Sequence, residues 1–154
     1  MQKLLKLKNS KNKIKIRLAE LKDLKFTLEL HNQNVLNDNF FSKKKVRLRD
    51  HREWFKVKLK EKMIFICSSK FRLGYIRYDI LNNKNLSVSI AIKAKYKRKG
   101  FGKYMLAKTL NKKKIINKNI YAFIRKNNIS SKKFFLDAGF KYLKNNTYVM
   151  KARL

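Results

Sequence analysis

One basic stretch of the chain has the residue types that could bind a diphosphate. It reads Lys97-Arg98-Lys99-Gly100-Phe101-Gly102-Lys103, and a helical pattern of apolar residues begins inside it. Before it, Val88, Ile90 and Ile92 alternate with small or polar residues, which is the period of a strand. A helix N-terminus has backbone N–H groups without helical partners, and glycine lets the backbone approach a ligand closely. A strand, a basic glycine loop and a helix in this order therefore predict a cradle for phosphate.

The loop by itself leaves a second interpretation open, a solvated turn in a lysine-rich protein. It does not match the Walker motif, because no Gly-Lys-Ser/Thr follows at the required spacing. It does not match the dinucleotide fingerprint either, since a third glycine and a later acidic residue are missing.

Two motifs resemble those of the GNAT N-acetyltransferase superfamily. The basic loop is similar to the family's Arg/Gln-x-x-Gly-x-Gly/Ala acetyl-CoA loop, with Lys97 in place of the Arg or Gln. The segment Asn128-Ile129-Ser130-Ser131-Lys132-Lys133-Phe134-Phe135-Leu136-Asp137-Ala138-Gly139-Phe140 resembles the family's Asn-x-x-Ala/Ser-x-x-Leu/Phe-Tyr-x-x-x-Gly-Phe. Alone, this segment is also typical of an ordinary capped helix. With both motifs in this order, the chain is identified as a member of the superfamily.

The resemblance implies acetyl-CoA as co-substrate and direct acetyl transfer to an unprotonated amine. It implies that the amides of the 97–103 loop bind the pyrophosphate and that the pantetheine arm pairs with Ile90-Ala91-Ile92 like an extra strand. The backbone N–H of Ile92 would stabilise the oxyanion, and Asn128 would hydrogen-bond the arm. The family's usual general acid, a tyrosine, falls at Phe135, which has no proton to give. Water or another tyrosine is then needed, and the candidates are Tyr96, Tyr104 and Tyr142.

Three further segments resemble GNAT enzymes that acetylate nucleotide-linked amino-deoxy sugars on the way to nonulosonic acids such as pseudaminic and legionaminic acid. These segments are His31-Asn32, Asp50-His51-Arg52-Glu53-Trp54-Phe55 and Gly74-Tyr75-Ile76-Arg77-Tyr78-Asp79. The resemblance implies transfer to the 4-amino group of a UDP-linked sugar, with His51 as catalytic base or substrate contact. The substrate-binding residues would be His31, Asn32, His51, Arg77 and Asp79.

Each of these side chains also has a purely structural interpretation. A histidine three residues before a tryptophan on a helix is often a packing residue, and Trp54 itself suits a core better than a sugar-stacking platform. Arg77 and Asp79 could form a plain surface ion pair.

The composition is strongly basic, with 42 Lys+Arg against 9 Asp+Glu and a formal net charge of +33. Such a field attracts nucleic acids, anionic membranes and acidic metabolites. Lysine, asparagine and isoleucine are abundant together and proline is absent, which suggests an AT-rich genome with lysine as the default surface residue. We therefore expect a small-molecule substrate, no dedicated nucleic-acid partner, no membrane and a cytoplasmic protein, with the oligomeric state open. The one cysteine, Cys67, is expected in the core, and we expect no metal site.

The predicted fold is α/β (α+β), a single GNAT domain over residues 1–154. The resemblance implies a mixed, mostly antiparallel sheet of about seven strands, splayed between the fourth and fifth and flanked by about four helices. The predicted strands are 14–18, 63–68, 72–81, 87–92, 120–125, 140–143 and 147–152. The predicted helices are 21–30, 50–60 with Asp50 as its cap, 101–116 and 130–138, and 32–45 is predicted to be irregular.

Two other functions remain open from the sequence. One is a GNAT enzyme acting on a protein N-terminus, a lysine or another small amine. The other is a non-catalytic basic protein that binds nucleic acid, which would show a steep salt dependence and no affinity for acetyl-CoA.

Overall fold

A computed structural model describes residues 14–36 and 44–153. These residues form a seven-stranded sheet in the order β1-β2-β3-β4-β5-β7-β6, with four α-helices. The strands are β1 Lys15–Leu18, β2 Ile64–Ser68, β3 Arg72–Ile80, β4 Asn85–Ile92, β5 Asn119–Phe123, β6 Lys141–Lys144 and β7 Thr147–Lys151. The helices are α1 Leu24–Leu36, α2 Leu48–Glu61, α3 Phe101–Thr109 and α4 Ile129–Asp137, with 3₁₀ turns at Leu21–Asp23 and Ala94–Tyr96. The predicted fold class is confirmed. None of the described helices has the length and apolar character needed to span a bilayer.

The helices lie on both faces of the sheet, because successive side chains of each strand point to opposite sides. On one face, Met105 and Leu106 of α3 join the largest apolar cluster together with Phe65 and Cys67 of β2. On the other face, α1 packs through Phe26 and Leu30 against the alternate strand residues, which are Ile66, Tyr75 and Ala91. Cys67 is fully buried, as predicted.

The sheet opens between β4 and β5, which are its one parallel pair among the described strands. Their pairing ends at Ser87 and Tyr121, and the remainder of β4 has an open edge. Lys93 donates its backbone N–H to the carbonyl of Leu73 at 2.9 Å, toward β3. Since alternate residues of a strand direct their backbone groups to opposite edges, the N–H groups of Ile90 and Ile92 point to the open side. The predicted splay between the fourth and fifth strands is confirmed.

The predicted start of the first helix is wrong. Residues 21–23 form a 3₁₀ turn because the buried carboxylate of Asp23 accepts the backbone N–H of Glu20 and ties down Arg17 and Arg72. Leu21 is exposed in this turn. The helix then continues to Leu36, into the stretch predicted to be irregular. Part of that stretch, 37–43, lies outside the described residues.

The second and third helices also differ from their predicted bounds. Arg47, not Asp50, is the N-cap of α2, and Val57 is exposed while Phe55 takes the inward position. Helix α3 ends at Thr109 instead of near 116. In a continued helix, Lys112 and Lys113 would follow Thr109 on the core face; the chain instead turns, and Ile115 is buried in the core.

Candidate functional site

Two cavities lie on either side of strand β3 and meet in the middle. The α1–α2 cavity, of about 410 Å³, is enclosed by the two helices and by β2 and β3. The β4–β5 cavity, of about 320 Å³, follows the open edge of β4 toward β5 and α4. Three residues line both cavities: His31, Tyr75 and Arg77. A group bound in either cavity would therefore contact side chains that also line the other.

The β4–β5 cavity brings together several of the predicted cofactor residues. Ile90, Asn128 and Phe135 line it, and the Ile92 N–H points to the same open edge. Ala91 differs from its neighbours, because its backbone pairs with Tyr75 on β3 and its side chain is buried under α1. The Asn128 side chain caps α4 by accepting the Ser131 N–H at 3.1 Å.

The glycine loop has the geometry of an anion cradle. Gly100 is the N-cap of α3 with φ 88°, a left-handed conformation that glycine adopts without strain, and no side chain caps the helix. The first-turn amides of α3 are thus left without capping partners, and the lysines and arginine of 97–99 beside them are exposed. Gly102 has a further role, because a Cβ there would lie 3.0 Å from the ring of Phe134. Its missing side chain lets α4 pack closely against α3.

His51 lies in the wall of the α1–α2 cavity and is 5% exposed. Its Nε2 is 3.0 Å from Thr27 Oγ1, which also lies within hydrogen-bond distance of the carbonyl of Leu24. The hydroxyl hydrogen has two acceptors within reach, the Leu24 carbonyl and Nε2, and the tautomer of His51 sets which atom donates in the ring contact. Burial, followed by the charges of His31 and Arg77, lowers the pKa of His51 to about 4. The ring also packs against Trp54 and Phe55, with centroids 5.3 and 5.5 Å away.

The neighbouring residues of α1 have different roles. His31 lines both cavities, and its pKa is also lowered, first by burial and then by Arg77. Asn32 uses both ends of its carboxamide to hold Val46, accepting the Val46 N–H at 2.9 Å and donating to its carbonyl at 3.0 Å. Asn32 thereby positions Val46, which lines the α1–α2 cavity.

An ion-pair network holds Arg77 where the cavities meet. Its Nε is 2.8 Å from Asp79 Oδ2, and its guanidinium lies over the Trp54 ring, 5.1 Å from the centroid. Asp79 Oδ1 is in turn 3.0 Å from Lys58 Nζ, which also pairs with Glu61. The Arg77–Asp79 pair thus exists, but it lies in the cavity walls and not on an open surface.

The three tyrosines offered as replacement proton donors line neither cavity as the described residues define it. Tyr104 OH is 3.4 Å from the carbonyl of Ile14, Tyr142 is exposed, and Tyr96 packs against Phe101. Sequence reasoning missed Tyr75, which lines both cavities. A signal was present, because polar residues recur on one face of a buried hairpin: Arg77 lies opposite Ser89, and Asp79 opposite Ser87.

Comparison with known proteins identifies the protein family of this chain. The model of the acetyltransferase (GNAT) family matches residues 28–140. Comparison with curated protein sequences gives no match. Among solved structures, an N-acetyltransferase from Staphylococcus aureus Mu50 superposes with a TM-score of 0.79 at 20% identity, covering 92% of this chain and 99% of that one. A putative acetyltransferase from Salmonella typhimurium with its cofactor acetyl-CoA gives 0.78 at 15% identity, covering 92% and 95%. A phosphinothricin acetyltransferase from Sinorhizobium meliloti in complex with acetyl-CoA gives 0.75 at 18% identity, covering 85% and 76%.

The family match spans both motifs and most of the residues that line the two cavities, and the structural neighbours share the splayed sheet fold. The chain belongs to the GNAT acetyltransferase family.

Proposed function

We propose that this N-acetyltransferase, acting as a single domain, transfers the acetyl group of acetyl-CoA to the 4-amino group of a UDP-linked amino-deoxy sugar. The observation that carries the proposal is the meeting of the two cavities at His31, Tyr75 and Arg77. A thioester in the β4–β5 cavity and an amine in the α1–α2 cavity would lie in contact there. Direct transfer needs such contact, because the amine itself attacks the thioester carbon.

Acetyl-CoA is the co-substrate, and we assign its contacts to the backbone. The free amides at the start of α3 suit the pyrophosphate, and the edge amides of Ile90 and Ile92 suit the pantetheine carbonyls and the acetyl group. As the amine adds to the carbonyl carbon, negative charge develops on its oxygen, and the fixed Ile92 N–H would stabilise it.

The α1–α2 cavity has the chemistry of an amino-deoxy sugar pocket. Trp54, Val46 and Ile64 provide an apolar wall for the methyl group and the C–H face of a deoxy sugar. Thr27, His31 and His51 add polar atoms at fixed places, as small-molecule sites commonly do. Arg77 and the strongly basic surface favour a ligand with the charge of a nucleoside diphosphate.

The low pKa of His51 defines what this side chain can do in the proposed reaction. At neutral pH the ring is uncharged, so it does not repel a cationic amine and offers one ring nitrogen as a hydrogen-bond acceptor. A base with a pKa of about 4 does not produce a kinetic limb near neutrality. We therefore expect the rise of kcat/KM with pH to follow deprotonation of the amine substrate and not of His51.

The test compares amines in one assay of thiol release at fixed salt, because a protein of net charge +33 binds any polyanion to some degree. The substrates are UDP-4-amino-4,6-dideoxy sugars, the corresponding free amino sugars, spermidine and a lysine peptide. The proposal predicts the highest kcat/KM for a UDP-linked sugar. Faster turnover of spermidine or of the peptide would reject the nucleotide-sugar acceptor and favour a polyamine or protein substrate, while acetyl transfer itself would stand.

A further inference from the structure

Tyr75 is a buried polar side chain that the reaction as described so far does not use. It is 4% exposed and lines both cavities. Among the described residues, its hydroxyl has no hydrogen-bond partner, although buried tyrosine hydroxyls usually find one. An unpartnered hydroxyl in a cavity wall is a donor available to a ligand.

The position of Tyr75 in the sheet places it beside the part of β4 at which the thioester would lie. Its Cα pairs with Ala91 on β4, so it lies across from the residue between the two edge amides, those of Ile90 and Ile92. Phe135 lines the β4–β5 cavity from α4 and cannot donate a proton. A thioester held at the β4 edge thus has an aromatic ring without a hydroxyl on the α4 side and Tyr75 on the β3 side.

We propose that Tyr75 relays the proton from the attacking amine to the sulfur of coenzyme A. The amine nitrogen forms a bond to the acetyl carbon, and the C–S bond breaks with its electron pair remaining on sulfur. The Tyr75 O–H gives its hydrogen to sulfur while its oxygen takes the hydrogen lost by nitrogen, so that amide, free thiol and unchanged tyrosine result. The proposal rests on the acetyl-transfer chemistry of the family and not on the identity of the acceptor.

A relay of this kind suits the surroundings of the hydroxyl. Burial, opposed by Arg77 and aided by Asp79, raises the pKa of Tyr75 to about 12, so the hydrogen stays on oxygen throughout the working range. The other charged or titratable side chains in the cavity walls near Tyr75 are His31 from α1 and Asp50 and His51 from α2. Because the hydroxyl gains one hydrogen as it loses another, no free tyrosinate has to form, and the high pKa is no obstacle.

The first test needs no acceptor. The pKa of the thiol of bound coenzyme A is measured from thiolate absorbance in wild type, in Tyr75→Phe and in Tyr104→Phe, a control tyrosine that lines neither cavity. Cys67 does not interfere, because burial raises the pKa of its thiol to about 12. A hydrogen bond donated to sulfur stabilises the thiolate, so Tyr75→Phe should raise the thiol pKa by about one unit. An unchanged thiol pKa with coenzyme A bound would overturn the proposal.

The second test moves the hydroxyl to the opposite wall. In Tyr75→Phe/Phe135→Tyr, a tyrosine stands on α4, and the thiol pKa of bound coenzyme A should return toward the wild-type value. For whichever amine the wild type acetylates, Tyr75→Phe should lower kcat roughly 10²-fold without raising the KM for acetyl-CoA. An undiminished kcat in a variant that binds acetyl-CoA normally would also contradict the relay.

Discussion

The two cavities are built in different ways. The β4–β5 cavity and the glycine loop next to it offer mainly backbone groups: the edge amides of β4 and the uncapped amides of α3. The α1–α2 cavity offers side chains, with two histidines, a tryptophan and an arginine held by ion pairs. Backbone donors survive almost any substitution that keeps the fold, whereas a side-chain pocket changes with each replacement. Backbone contacts to a cofactor can thus persist in a fold while the side chains of an acceptor pocket change.

His51 is a buried side chain in the wall of the α1–α2 cavity, so protonating it should change the stability of the protein. The folded state lowers the His51 pKa from 6.5 to about 4, so between these values the unfolded chain binds more protons. The contribution of His51 to the free energy of unfolding is therefore fully present above pH 6.5. It is lost as the pH drops toward 4, which lowers the free energy of unfolding by up to about 3 kcal/mol. Urea unfolding at several pH values should show this loss in wild type and much less of it in His51→Gln.

The same titration has an internal control. Burial opposes ionisation of Asp23, but the hydrogen bonds from Arg17, Glu20 and Arg72 outweigh it and lower the pKa of Asp23 to about 2. The stability that Asp23 provides is lost only below its ordinary pKa of 3.8. Measurements above pH 4 therefore report mainly on the histidines. Equal slopes in wild type and His51→Gln over this range would show that His51 is not held neutral by the fold.

Gly100 and Gly139 form a matched pair of variants for testing whether the backbone amides at the start of α3 bind the pyrophosphate. Both have positive φ, 88° and 94°, so alanine at either position should cost stability by roughly 1–2 kcal/mol. Only Gly100 starts the helix whose free amides would bind the pyrophosphate. We expect Gly100→Ala to weaken acetyl-CoA binding about tenfold by calorimetry, or ~1.4 kcal/mol, and Gly139→Ala to leave it unchanged. Equal affinities for the two variants would remove the loop from the binding site.

The smallest expected effect concerns the orientation of Arg77. Lys58 pairs with two carboxylates, but only Asp79 also pairs with Arg77. Asp79→Asn should therefore raise the KM for the acceptor a few-fold, whereas Glu61→Gln should not, and neither should change acetyl-CoA affinity. The measurement is steady-state kinetics with the best acceptor of the panel. If both variants behave alike, the network serves stability and not acceptor binding.

The sequence predicted the β4–β5 cavity and the glycine loop, which offer backbone groups, better than the α1–α2 cavity, which offers side chains. Strand β4 and the start of α3 follow from local periodicity and two glycines, which act over a few residues, whereas the open edge of β4 was implied by the family resemblance. The alternation of polar residues in β3 and β4 was a signal for the side-chain face on which Tyr75 lies. Its place in the walls of both cavities, however, depends on how α1 packs over β3, and no local pattern encodes that packing. The end of α3 was missed for a related reason, because Ile115 is drawn into the core by tertiary contacts and not by helix propensity.

Our central claim is that acetyl-CoA pairs with the open edge of β4, and amide hydrogen exchange tests it most directly. Without ligand, the amides of Ile90 and Ile92 point away from β3 and should exchange fast, whereas that of Ala91 is paired with β3 and should exchange slowly. Saturating acetyl-CoA should slow exchange at Ile90 and Ile92 by about tenfold or more and change Ala91 little. Fast exchange at both isoleucines in the presence of bound acetyl-CoA would contradict the claim.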